Sequence, residues 1–131
     1  MIAKNSSYLL GILLWLFCGG FIQSAWAYNT EDLRRLKATG SCPRCDLSAA
    51  ALEELQLFRS NLSGANLSGA NLSRTNLIAA DLSRADLSGA ILSGANLSGA
   101  DLSSANLSTA ELLATELTLV DLSGAKLERA S

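Results

Sequence analysis

Cys42-Pro43-Arg44-Cys45 is the one short motif in this 131-residue chain whose residue types and spacing can do chemistry. Two thiols three residues apart form a redox pair, supply half of a zinc site, or close a structural cross-link. Zinc in a single chain needs a second ligand pair, and the chain offers only Cys18 besides and no histidine. A redox pair usually places its first cysteine at a helix N-terminus, where the dipole lowers the thiol pKa. Here the motif follows a segment that reads as a helix, so a bridge between Cys42 and a small buried Cys45 is the expected arrangement. No metal and no cofactor are expected. The missing histidine also removes the imidazole base and the Ser-His-Asp triad, so the chain reads as a non-enzyme. With 10 Lys+Arg against 12 Asp+Glu, its net charge of -2 argues against a strong electrostatic footprint for nucleic acid or anionic lipid.

The elements that must position these residues begin after residue 27. Lys4 is followed by an uncharged apolar stretch from Tyr8 to Ile22 and then Ala25-Trp26-Ala27, the pattern of a secretory signal over residues 1–27. The apolar stretch falls short of the ~20 residues needed to span a bilayer, and Trp15-Leu16-Phe17 is too bulky to precede an acylated Cys18. Cleavage would leave a chain with no membrane segment and would favour the Cys42–Cys45 bridge through an oxidising compartment. Residues 28–44 then read as a capping segment. Asn29 or Thr30 can cap a helix with Glu31 and Asp32 in its first turn, bases following, and Gly40 as stop. Leu33 and Leu36 would share the face laid on the rest of the chain.

From Leu47 to Leu127 a leucine falls at every fifth position without a gap, usually with Ala two residues before it and Asn or Asp between. After the leucine comes mostly Ser, then often Gly. A period of five suits neither regular element. On a helix, successive leucines would land about 140° apart, and on a continuous strand they would alternate faces. The pattern closes if each unit is a short extended side followed by a Ser-Gly corner, with Ala and Leu inward and Asn or Asp outward. Stacked coils at ~4.8 Å then share backbone hydrogen bonds, and the core is Leu and Ala, because Tyr28 and Phe58 are the only aromatic residues after residue 27.

Asn61-Leu62-Ser63-Gly64-Ala65-Asn66-Leu67-Ser68-Gly69-Ala70, continued with little drift to Ala125, resembles the pentapeptide-repeat family. That resemblance implies an all-β solenoid over residues 45–131: a right-handed quadrilateral β-helix, four pentapeptides per coil, behind a short N-terminal capping α-helix. Relatives often carry a similar helix and Cys-Pro-x-Cys lead-in, which supports a structural role for Cys42 and Cys45. It also suggests a cyanobacterial or plastid address, the periplasm or the thylakoid lumen.

If residues 20 apart stack, the outward positions become columns. Asp81, Asp101 and Asp121 form an acidic ladder on one face, above Asn61, and Glu54 faces Arg74. Phe58 and Ile78, then Leu119 and Ile91, break the Ser-Gly or Asn/Asp rule, and form a candidate partner-contact strip. An outward change such as Asn96→Ala is expected to be nearly silent. The leading function is a structural or protein-binding scaffold for a partner of unknown identity. The alternatives are a thiol-disulfide redox partner working through Cys42 and Cys45, and, from the gyrase-mimicking branch of the family, a DNA-mimicking topoisomerase-binding protein. The leucines of the last coil, Leu112, Leu117, Leu122 and Leu127, are expected to be uncovered, giving a monomer frayed there or a homodimer paired through that end.

Overall fold

The computed structural model describes residues 28–131, and the signal reading of residues 1–27 lies outside the described residues. Thr30–Thr39 form helix α1. Asn29 is its N-cap, the Oδ1 atom accepting from the amides of Glu31 at 2.9 Å and Asp32 at 3.3 Å, two donors a helix leaves unpaired. Gly40 ends it in the left-handed conformation, φ 66°, with its amide donating to the Leu36 carbonyl. Leu36 is buried and Leu33 packs partly buried beside it, as their spacing requires. Among the described residues no helix is long and apolar enough to cross a membrane.

From Ser41 the chain winds into stacked coils. Parallel bridges join residues 20 apart, Ser41 to Asn61, Asn61 to Asp81, Asp81 to Asp101 and Asp101 to Asp121, and the same interval recurs on three further sides. Each side contributes a single bridging residue before the chain turns, so the extended segments read from the sequence are too short to form continuous strands. The second corner residue is left-handed in every unit from Arg44 to Arg129, with φ from 54° to 70°. Glycine eases that turn at Gly64, yet Arg44, Glu54 and Leu119 adopt it too, at a cost on the order of 1 kcal/mol each.

The five amides of a unit explain its composition. In the unit from Asn61, the Asn61 amide donates back to Gly40, the Leu62 amide on to Asp81 and the Gly64 amide on to Ser83, all between coils. The Ala65 amide closes the corner onto the Leu62 carbonyl at 3.0 Å. That leaves the Ser63 amide, and Asn61 Oδ1 takes it at 3.1 Å. Only a short side-chain acceptor two residues back reaches this donor. The Asn or Asp requirement is therefore a backbone requirement, which corrects the expectation that these side chains are idle.

The core is a column of leucines from Leu47 to Leu107, buried throughout, between columns of alanine. Thr75 enters an alanine position because its hydroxyl donates to the Leu52 carbonyl at 2.7 Å, whereas the Ser60 hydroxyl is buried without a partner. Bulk appears in these positions only at the ends: Leu55 in the first coil and Val120 in the last. The leucines of residues 111–131 differ, with Leu117 and Leu127 exposed and Leu112 and Leu122 partly so.

Candidate functional site

Cys42 stands where a leucine stands in later units, and its amide donates to the Asn61 carbonyl at 2.7 Å, just as Leu62 donates to Asp81. The coil register therefore starts one unit before the leucine series, and Cys42-Pro43-Arg44-Cys45 is the first corner of the solenoid instead of a lead-in to it. Pro43 has no amide to satisfy, so this unit needs no Asn or Asp and carries Ser41 there. Proline also suits the position before a left-handed residue, here Arg44 at φ 57°. Cys42 and Cys45 point inward, both buried, with their sulfurs bonded and their Cα atoms 5.4 Å apart.

Helix α1 is fastened on this corner. Asp32 Oδ2 accepts from the Asp46 amide at 2.9 Å, Asp32 Oδ1 accepts from Arg35 Nη2 at 2.7 Å, and the same guanidinium nitrogen lies 3.0 Å from Cys45 Sγ. The Asn29 amide donates to the Asp46 carbonyl. The Asp32 carboxylate and the two sulfurs lie within 4.8 Å of one another, with both sulfurs committed to their mutual bond. Sequence reasoning missed Asp32 and Arg35. Their three-residue spacing on the helix was the available signal, but nothing local says that they face a sulfur.

Asp81, Asp101 and Asp121 do form one column. Each is first a corner clamp: Asp81 Oδ1 accepts the Ser83 amide and hydroxyl, Asp101 Oδ1 the Ser103 amide, and Asp121 Oδ1 the Ser123 amide. Hydrogen bonds from the Ser123 side chain and then its amide hold the Asp121 carboxyl below the usual carboxylate range. An open groove of about 360 Å³ runs beside the ladder between Arg44 and Arg84, with Gly64, Ser83, Asp81 and Asp101 in its walls. Arg74 pairs with Glu54 of the preceding coil at 2.6 Å, both well exposed.

The apolar exceptions do not form one strip. Phe58 and Ile78 stack at one corner in adjacent coils, where the Arg59 amide reaches the Ile78 carbonyl and the Arg59 guanidinium lies 4.9 Å over the Phe58 ring. Leu119 belongs to the same corner two coils beyond Ala79, past Gly99, and Ile91 lies on the neighbouring side. Phe58, Ile91 and Leu119 share something else: their units carry Gln56, Ile91 and Glu116 in place of the Asn or Asp clamp. Leu113, beside Glu111, is a further exposed case that the leucine series concealed, since it follows Leu112 directly.

The sequence pattern of the family described as "Pentapeptide repeats", in eight copies, matches residues 44–77, 56–94 and 95–131. No curated protein sequence matches. The solved structure of a pentapeptide repeat protein from the Arabidopsis thaliana thylakoid lumen is 33% identical, with 66% of this chain and 64% of that one covered and a TM-score of 0.52. A pentapeptide repeat protein of Nostoc PCC 7120 is 38% identical over 79% of this chain and 78% of its own, TM-score 0.46. Rfr23 of the cyanobacterium Cyanothece 51142 is 28% identical over 76% and 95%, TM-score 0.44. The present chain thus spans a little under two thirds of the length of the Arabidopsis protein.

Proposed function

The chain belongs to the pentapeptide-repeat family, and from that premise we propose that it is a non-enzymatic, exported scaffold that binds a protein partner, wound in the family's right-handed quadrilateral sense. The observation that carries this reading is the use of the residues. The inward positions from Leu47 to Ala110 are closely filled by leucine and small side chains, and the outward Asn and Asp of most units are spent on their own corners. What remains for recognition is surface pattern, and the stacked Phe58 and Ile78, with Arg59 over the Phe58 ring, interrupt the polar corner column most clearly. The periplasm or the thylakoid lumen is the proposed address, with residues 1–27 removed, the Cys42–Cys45 bridge as a structural part of the mature protein, and no nucleic acid or membrane as partner.

Phe58→Ser with Ile78→Ser restores the repeat's own corner residue and leaves the core untouched. A partner captured from the native compartment by the wild-type chain should be lost with this double variant and kept with an Arg84→Ser control; equal capture by all three sinks the assignment of the contact site. N-terminal sequencing of the exported protein should read from Tyr28. Catalysed insulin reduction by the wild type, abolished in Cys42→Ser, would turn the protein into an oxidoreductase instead. Sedimentation of the mature chain separates the two proposed assembly states, a monomer or a homodimer joined through the leucines of residues 111–131.

A further inference from the structure

Cys42 Sγ lies 3.2 Å from the main-chain carbonyl oxygen of Asp32. A disulfide sulfur has no proton to give, so this contact becomes a hydrogen bond only when Cys42 is a thiol. Arg35 Nη2 faces Cys45 Sγ at 3.0 Å. A guanidinium gains little from a neutral disulfide and much more from a thiolate, a charged acceptor. Arg35 is also held in place, since the same nitrogen is bound by Asp32 Oδ1 while Asp32 Oδ2 is fixed by the Asp46 amide. Of the other charged groups nearby, the Asp32 carboxylate lies within 4.8 Å of both sulfurs and opposes a thiolate, but its oxygens are taken by Arg35 and the Asp46 amide. Arg44 and Asp46 are exposed, and the neighbours stacked on the two cysteines in the next coil are the uncharged Leu62 and Ala65. Each sulfur therefore faces a partner suited to the reduced form.

We propose that Cys42–Cys45 is a reversible two-electron couple, a thiol–disulfide exchange site whose electron donor is a dithiol-bearing protein, with Asp32 and Arg35 as positioning residues for its reduced state. This goes beyond the scaffold reading and leaves it in place: the structural bridge is the oxidised state of the couple, and the corner receives electrons without turning over a substrate. Both sulfurs are covered, so exchange awaits opening of the first turn of α1. A thiolate of the donor then bonds to Cys42 Sγ, and the electron pair of the Cys42–Cys45 bond leaves with Cys45, the thiol of lower pKa being the better leaving group. The donor's second thiolate displaces Cys42 and closes the donor's own disulfide. Of the two protons the donor gives up, one ends on Cys42 and the other goes to solvent, because Cys45 stays ionised. With the turn closed again, Cys42 donates to the Asp32 carbonyl and Cys45 accepts from Arg35.

The test uses the full chain with Cys18→Ser, so that two sulfurs alone titrate, equilibrated against mixtures of reduced and oxidised dithiothreitol and quenched by alkylation. Arg35→Gln should shift the equilibrium toward the disulfide by about tenfold, equivalent to about 30 mV, and Arg35→Lys should retain most of the wild-type position. In the reduced parent, thiolate ultraviolet absorbance should grow in below the ordinary cysteine pKa of about 8.5, and Arg35→Gln should move it upward. An equilibrium unchanged by Arg35→Gln overturns the proposal. So does a reduced parent in which neither thiol ionises below the ordinary range, a result that needs no variant to fold.

Discussion

Leu87 and Leu127 hold the same position in their units, yet Leu87 is fully enclosed and Leu127 is 44% exposed. The local sequence is not what separates them. Leu87 has a coil on each side, while Leu127 has Leu107 beneath it and no coil of this structure above. The N-terminal face of the stack is treated differently, with Leu36 of α1 laid over it and the Cys42–Cys45 bond beneath the helix. Burial in this molecule is a property of neighbours in the stack. A repeat cannot bury its own leucine; it can only bury the one next door.

The largest effect should come from testing that statement directly. Leu87→Ala is expected to cost about 2–5 kcal/mol, because the rigid coils cannot close on the cavity, and Leu127→Ala less than about 1 kcal/mol. Urea unfolding that returned equal losses would break the comparison. Next comes overpacking: Ala95→Leu, enclosed between Thr75 and Thr115, should cost roughly 1–3 kcal/mol. Ala125→Leu, in the partly open last coil, should be close to neutral by the same measurement, since the first coil already holds Leu55 in an inward slot of this kind.

A smaller effect sharpens the role of the outward residues. Asn96 Oδ1 accepts the Ser98 amide at 2.9 Å and its Nδ2 donates to Glu116 at 2.5 Å. Asn96→Ala should therefore cost about 1 kcal/mol instead of being silent, with Asn96→Asp retaining the clamp on Ser98. A silent Asn96→Ala in thermal unfolding would return the column to a merely solvated face. The smallest effect concerns Asp121 in the open coil, whose folded pKa is depressed by Ser123. Its contribution to stability is complete above the ordinary aspartate pKa of about 3.9 and is lost as pH falls through the lower folded value. Carboxyl NMR should show Asp121 titrating below that ordinary value, and Ser123→Ala should bring it back up.

The inward and outward positions were legible because a strict period of five leaves no other way to bury Leu47 through Leu107. The corner was legible as a turn, but its logic was not. Nothing in Asn61-Leu62-Ser63 announces that the Ser63 amide is the single donor the coils leave unpaired, and that shortage becomes visible only when every amide of the unit is traced. The cysteine corner was misplaced by one unit for a related reason. Cys42 and Pro43 break the residue pattern while obeying the backbone pattern, which a reading of leucines cannot detect. Asp32 and Arg35 stayed invisible because their meaning lies in a docking of helix on coil that depends on neither partner's local sequence.

The 20-residue register makes the surface a dial. Losing or gaining one pentapeptide would keep the core leucines inside and the existing corner clamps in place, since the backbone repeats at every unit. It would nonetheless turn everything downstream by a quarter revolution. Removing residues 91–95, for instance, would carry Asp101 and Asp121 off the column of Asp81 and onto the adjacent side, and would set Gly99 beside Arg74 at the corner that Gly94 now holds. A solenoid of this kind can thus reshuffle which side chains stand together without touching the interior that holds it up, and its outer pattern is free to change far faster than its fold.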